Sequence, residues 1–226
     1  VKNDFLNTPF LQTRNHNFQL RSSLEPINGF RIQLDAKRIV SENFQEIFRY
    51  NSVDDTYVSL TPTRGGNFSL SFLAIKTAFV DDDNSKNSST FLRFVENREV
   101  IRSRLNSLNS SGEYGLNSQD VLIPAFISAY SGSNASTFSL KPFPKIPIPN
   151  WRVDFSGLSK IKSLSEIFST ITLTHSYQST YSVGEFSNSL LYQDNLDFSN
   201  SLMNYPLASQ QTENGLIPFY IINQVR

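Results

Sequence analysis

The chain has no cysteine, and it carries only one methionine, one tryptophan and two histidines, His16 and His175. Without cysteine there is no disulfide framework, no thiolate metal site and no cysteine nucleophile. Two histidines with no second ligand at metal spacing make no metal motif. The GxGxxG, GxxxxGKS/T and GxSxG signatures are absent as well. Net charge is also missing, since 20 Lys plus Arg balance 20 Asp plus Glu. No general pull toward nucleic acid or an anionic surface follows. No stretch reaches the roughly 18 apolar residues of a membrane-spanning helix, and no basic-then-apolar leader opens the chain. Asp81-Asp82-Asp83 lacks the spaced oxygens and closing Glu of a calcium loop. Gly65-Gly66 reads as a lone pair in a turn. The expectation is a protein with no catalytic residues, cofactor or metal.

What is present is aromatic and alternating. Aromatics make up 13% of the chain, led by 19 Phe and 9 Tyr, which tilts the composition toward β structure. From Phe18 apolar residues fall on even positions (Phe18, Leu20, Leu24), and Pro26-Ile27-Asn28-Gly29 forms a turn. The return strand sets Phe30, Ile32, Leu34 and Ala36 against Arg31, Gln33, Asp35 and Lys37, a pattern that only a period of two produces. Residues 41–66 read as a long connection. A third strand places Phe68, Leu70 and Phe72 opposite Ser69 and Ser71.

A change of composition follows. Thr90–Leu105 has helical spacing at Phe91, Val95, Ile101 and Leu105, with Ser88 or Ser89 as cap and arginines at 93, 98, 102 and 104. Pro124 suits the first turn of a second helix that Gly132 stops. Lys141–Pro149 must be extended, because each proline fixes its own φ and disfavours helix before it. It reads as a stiff spacer. A long strand is then predicted, with Ile167, Ile171, Leu173, His175, Tyr177 and Tyr181 on one face and Thr170, Thr172, Thr174, Ser176 and Gln178 on the other. A last strand begins near Leu216, and the strand-like run to Arg226 suggests a piece of something longer.

The expected fold is mostly β: a segment of a very large antiparallel transmembrane β-barrel with a helical, proline-rich insertion between strands. Residues 1–80 would hold barrel strands and one long loop, 81–165 the insertion, and 166–226 further strands and a loop. Alternation alone leaves open whether the apolar face meets lipid or a protein core. On the lipid reading Phe30, Ile32, Leu34, Phe68, Leu70, Phe72, Ile171, Leu173, Tyr177 and Tyr181 face the membrane. Arg31, Gln33, Asp35, Ser71, Thr170, Thr172, Thr174, Ser176 and Gln178 then line a lumen. His175 falls awkwardly on the lipid side.

Several stretches carry a resemblance: Leu24–Leu34, Tyr50-Asn51 with Ser59–Phe72, Ser118–Phe126 through Gly132, Pro144–Arg152, Gly157–Ile161 and Ser179–Gly184. Together, and in this order, they resemble the C-terminal half of the SprA (Sov) family, the outer-membrane translocon of the Bacteroidota type IX secretion system. The resemblance implies a passive conduit for folded secreted cargo in the bacterial outer membrane, needed for gliding and surface-protein export. It implies outer-membrane lipid, a PorV-type barrel, a plug protein and periplasmic motor components as associates. Short barrel turns face the periplasm, so the 26–29 turn, and by strand counting the insertion, would be periplasmic. The competing readings are a soluble β-rich adhesion or carbohydrate-binding module and a fragment of a nutrient-uptake barrel.

Overall fold

The computed structural model describes residues 5, 7–81, 88–192, 205–212 and 215–226. Asp82 and Asp83 of the acidic triple, and residues 193–204 of the expected C-terminal loop, lie outside the described residues. The elements are β1 (Phe10–Ile27), β2 (Phe30–Asn51), β3 (Thr56–Ser71), α1 (Ser89–Leu108), α2 (Gln119–Tyr130), β4 (Asn150–Phe155), α3 (Lys162–Ser165), β5 (Leu173–Tyr177), β6 (Thr180–Asn188), β7 (Ser209–Thr212), β8 (Gly215–Ile217) and β9 (Tyr220–Val225). With 44% strand against 20% helix the chain is mostly β, and its main sheet is a curled antiparallel half-barrel.

The β1–β2 hairpin closes where the sequence predicts, with Ile27 opposite Phe30 and Gly29 at φ 83°. Register slips between Leu24 and Ile27, Gln45 and Ile47, and Gly66 and Phe68 mark bulges, which bend a strand and add twist. Pro26 sits in the first of these, where no ladder bond is lost.

One edge of β2 carries β1. The other carries two strands end to end: β4 opposite residues 30–35 and β3 opposite residues 38–51. Both run antiparallel to β2, so β3 and β4 form one composite strand. Beyond them β5 pairs with β4 and β6 with β3 in the same manner. Residues 72–149 are therefore spliced into the middle of a strand. This corrects the expected boundaries of 81–165, since β4 belongs to the sheet.

Side chains repair the ladder at the splice. Ser71 Oγ accepts from the Lys37 N–H at 3.0 Å, and the Ser71 carbonyl accepts from Ile148 N–H at 3.1 Å. Asn150 Oδ1 takes the Ser179 N–H at 2.9 Å, while Phe72 N–H bonds Ser179 O at 3.0 Å. A backbone group left unpaired here would cost roughly 1–3 kcal/mol.

The expected connection at 41–66 is strand instead, apart from the tight turn between Asn51 and Thr56. Its apolar pattern lapses because Glu42 and Glu46 share a face with Val40 and Phe44, yet the backbone ladder continues. Gly65-Gly66 likewise lies inside β3. A Cβ on Gly66 would stand 1.9 Å from Ser41 O, so close strand approach requires glycine there. The run expected at 167–183 is broken: a 3-10 turn at 157–160, α3 and irregular backbone precede β5, and the chain kinks between β5 and β6.

The insertion packs on the even-numbered face of β2 and β3. Ser88 caps α1 by accepting from Phe91 N–H at 3.3 Å, as predicted. The buried stripe of α1 is Thr90, Asn97, Ile101 and Leu105, whereas Phe91 and Val95 are exposed. Helix α2 starts at Gln119, so Pro124 lies in its second turn, one turn later than predicted; Gly132 ends it with φ 66°. Of the helix arginines, Arg102 pairs with Glu99, and Arg93 and Arg104 donate to carbonyls of the 133–138 segment.

Phe143, in the supposed spacer, is the centre of the core. Its ring lies 5.4 Å from Phe68, 5.3 Å from Phe186 and 6.2 Å from Tyr220, joining the insertion to β3, β6 and β9. Truncation of a buried Phe costs about 3–5 kcal/mol. Phe143→Ala should therefore undock the insertion, seen as faster hydrogen exchange in α2 while the β1–β2 hairpin keeps its protection.

Candidate functional site: the two faces of the sheet

Odd-numbered residues of β1 and β2 share a face with even-numbered residues of β4 and β5, as the pairing of Gln33 with Arg152 and of Arg152 with Ser176 requires. This face is polar. Arg21, Ser23, Gln33, Asp35, Arg152, Ser176 and Gln178 line a concavity of about 770 Å³ on it. Gln33, Asp35, Ser176 and Gln178, predicted as lumen residues, are thus brought together. Sequence reading missed Arg21, Ser23 and Arg152, although strict alternation placed Arg21 and Ser23 on this face. The charges are matched locally. Arg21 Nε meets Asp35 Oδ2 at 2.9 Å, and Arg152 Nε meets Asp154 Oδ2 at 2.9 Å. Thr174 Oγ1 donates to Asp154 at 2.7 Å, and Arg31 stands opposite Asp154 in the register.

Three predicted lumen residues lie elsewhere. Ser71 is buried at the splice, its hydroxyl occupied by Lys37 N–H. Thr170 and Thr172 precede β5, in the irregular stretch where the Ile171 backbone bonds the Ser159 hydroxyl instead of a neighbouring strand.

The opposite face is apolar, and it divides along the strands into two regions. In the half away from the 28–29 turn, Val40, Phe68, Leu70, Tyr181, Val183 and Phe186 are buried with Ile123, Ile127 and Phe143 of the insertion and Phe219 and Tyr220. Phe68 and Leu70 are 1% and 2% exposed, so the prediction that they face lipid is corrected. Tyr181 is covered too, its hydroxyl donating to Pro142 O at 2.9 Å; Tyr177 is buried and its hydroxyl accepts from Ala74 N–H, while Phe72 packs against the same core. Ile171 is off the strand.

The half nearest the turn is bare. Phe18, Leu20, Leu24 and Ile27 of β1 are 51–62% exposed and Leu173 of β5 is 60% exposed. Between them lie the half-buried Phe30, Ile32 and Leu34 of β2, then Trp151, Val153 and Phe155 of β4 in register. The predicted lipid-facing Phe30, Ile32, Leu34 and Leu173 all belong to this bare region. Arg14 and His16 stand just beyond it on β1, opposite Glu42 and Val40. His175 is accommodated by β4: Trp151 Nε1 donates to its Nδ1 at 3.3 Å, and the two rings stack.

Among the described residues no helix is long and apolar enough to cross a membrane, which says nothing of strands. No group of three His, Asp or Glu converges at metal distance among them.

The insertion holds a buried carboxyl. Asp120, in the first turn of α2, accepts from Tyr205 Oη at 2.7 Å, and Gln119 donates to the same hydroxyl at 3.3 Å. Burial pushes the Asp120 carboxyl from 3.8 up to about 6 despite these bonds. Burial and the adjoining Asp120 also raise the Tyr205 phenol well above its ordinary range. An acid with a raised folded pKa binds more protons folded than unfolded. Its contribution to stability is therefore fully favourable below about pH 4 and declines as pH rises through about 6, by on the order of 3 kcal/mol. Asp120→Asn keeps the acceptor and removes the charge. Its stability relative to wild type should rise between pH 4 and pH 7, read as slower hydrogen exchange in α2; a pH-independent difference would contradict this account.

Neither a scan against protein-family models nor a search of the curated proteins returns a match to this chain.

Proposed function

We propose that this chain is an arc of outer-membrane β-barrel wall in a protein-conducting channel of the SprA-like type its sequence resembles. The observation that carries the reading is the division of the apolar face. Strand β1 is exposed along its length, and its apolar run on this face reaches from Phe18 to Ile27, with His16 and Arg14 standing beyond it. At about 3.3 Å per residue and about 45° of tilt this spans roughly 23 Å, close to the ~25 Å apolar band of outer-membrane barrels. The covered half of the face begins where that band ends. Strand β2, with 22 residues, is about twice the length a bilayer needs, which leaves room for both.

The open edge supports the same reading. The outer side of β1 carries no partner strand among the described residues. A long exposed edge of this kind invites pairing, and barrels remove it by closure. On the polar face, carboxylates matched to arginines present little net field, so cargo of either charge can pass without being held. Secreted cargo, outer-membrane lipid, a PorV-type barrel, a plug and motor components are the partners this reading brings.

Barrels place short turns in the periplasm and long connections outside. Taking the two-residue turn at Asn28-Gly29, shorter than the turn between Asn51 and Thr56, as the periplasmic one puts that longer turn and residues 72–149, at the far side of the bare band, outside. This reverses the placement expected from counting strands. Ser107, exposed on α1, should accept a membrane-impermeant thiol reagent in intact cells once changed to cysteine; protection until the cells are permeabilised would overturn the placement.

A second reading rests on the helices that cover Val40, Phe68 and Leu70, since helices on one face of an antiparallel sheet also build soluble α+β domains. The sole tryptophan, Trp151, decides between them because it lies on the bare region. In the membrane reading its fluorescence is quenched by brominated lipids and the protein needs detergent. A detergent-independent protein with unquenched Trp151 would be the soluble module. The conduit itself is tested by photo-crosslinkers in the full-length protein during export. Crosslinks from Gln33 to a stalled secreted cargo are expected and from Leu20 are not; the reverse pattern would sink the assignment of faces.

A further inference from the structure

At the turn end of the bare region the chain builds a small structure that the wall itself does not require. After Phe155 it makes the 3-10 turn Gly157–Lys160, then α3, then Ile167 and Phe168. This segment is fixed to the hairpin tip. Ser156 N–H donates to Gly29 O at 2.8 Å, and the Ser159 hydroxyl both accepts from Ile171 N–H at 2.8 Å and donates to Ile171 O at 3.1 Å. The approach to the tip is close, since a Cβ on Gly29 would meet Ser156 Oγ at 2.8 Å. A Cβ on Gly157 would meet the Phe155 ring at 2.4 Å, so that ring lies back over the segment and joins it to the apolar face.

Apolar side chains on this segment are unusually open. Ile161 is 47%, Ile167 73% and Phe168 50% exposed, and Ile27 on the neighbouring tip is 62% exposed. Lys160 and Lys162 flank Ile161 and are exposed, with Glu166 the one opposing charge on the segment. Exposed aliphatic and aromatic groups interleaved with lysines, at the edge of an apolar band, suit the boundary between acyl chains and phosphate headgroups. Water favours no such arrangement.

We propose that residues 157–168 form an interfacial foot that lies in the phospholipid headgroup layer. Ile161, Ile167 and Phe168 enter the acyl boundary, while Lys160 and Lys162 contact lipid phosphates. The proposal rests on the membrane-wall reading and adds to it a fixed depth for the wall: the foot sets where Phe30, Phe155 and Leu173 begin to cross.

The test uses the whole protein in vesicles of phosphatidylcholine with phosphatidylglycerol, carrying Ile167→Cys labelled with an environment-sensitive fluorophore. Lipids brominated near the headgroup should quench the label more strongly than lipids brominated near the chain end. Changing Lys160 and Lys162 to Gln should reduce that shallow quenching in phosphatidylglycerol-containing vesicles and change little in pure phosphatidylcholine. A label quenched only by aqueous iodide, or preferentially by deep bromines, overturns the foot, as does a Gln variant indistinguishable from its parent. Lipid quenching of Trp151 in the same samples keeps the two readings apart. If Trp151 is quenched and the label is not, the foot alone fails; if neither is quenched, the membrane wall fails with it.

Discussion

Everything in this fold depends on the shared edge of β2, where β3 and β4 pair in line although residues 72–149 separate them. Closing a loop of that length costs about 4 kcal/mol of chain entropy, and hydrogen bonding across a six-residue β4 alone is a weak return. The offset comes from docking the loop on the sheet. Phe143 lies among Phe68, Phe186 and Tyr220, and Tyr181 donates to Pro142 O, so the returning chain is held beside its place in the sheet. The C-terminal segment finishes the clamp. Asn109 donates to Ala208 O at 2.8 Å and Gln119 accepts from Ile222 N–H at 3.1 Å, which ties both helices to the last strands.

That docking explains why one apolar face has two fates. Residues alternate with the same period along β2 from Phe30 to Val40, and local sequence does not distinguish Leu34, in the bare region, from Val40, under the insertion. Only the tertiary arrangement does. The same face can meet lipid along one stretch and protein along the next, because both surroundings ask for apolar side chains. The polar face has no such ambiguity, and its residues keep one character from Arg21 across to Gln178.

The legibility of the sequence follows the same line. The hairpin at Asn28-Gly29, the cap at Ser88, the stop at Gly132 and the pairing of faces along residues 18–37 were all readable, since each depends on local geometry. The extension of β2 to Asn51 was not, because Glu42 and Glu46 break the apolar pattern while the backbone ladder continues through hydrogen bonds that carry no sequence signature. The split of 167–183 was hidden for the opposite reason: its alternation is clean, yet Ser159 captures the Ile171 backbone and takes it out of the sheet. Phe143 was concealed by its prolines, which fix the backbone as extended and say nothing about which side chain is buried.

The position of the splice is itself constrained by the surroundings proposed for the wall. Within lipid an unpaired N–H or C=O has no water to turn to, so a strand cannot be interrupted there without replacement partners. The interruption falls at the upper limit of the bare region, and it is furnished with such partners: Ser71 Oγ for the Lys37 N–H and Asn150 Oδ1 for the Ser179 N–H. The kink between β5 and β6 lies at the same level, so both composite strands break together. Below that line the ladder of β1, β2, β4 and β5 is continuous except for the bulge beside the hairpin tip. A wall built this way can carry a folded module on its upper half while the crossing half stays an uninterrupted sheet.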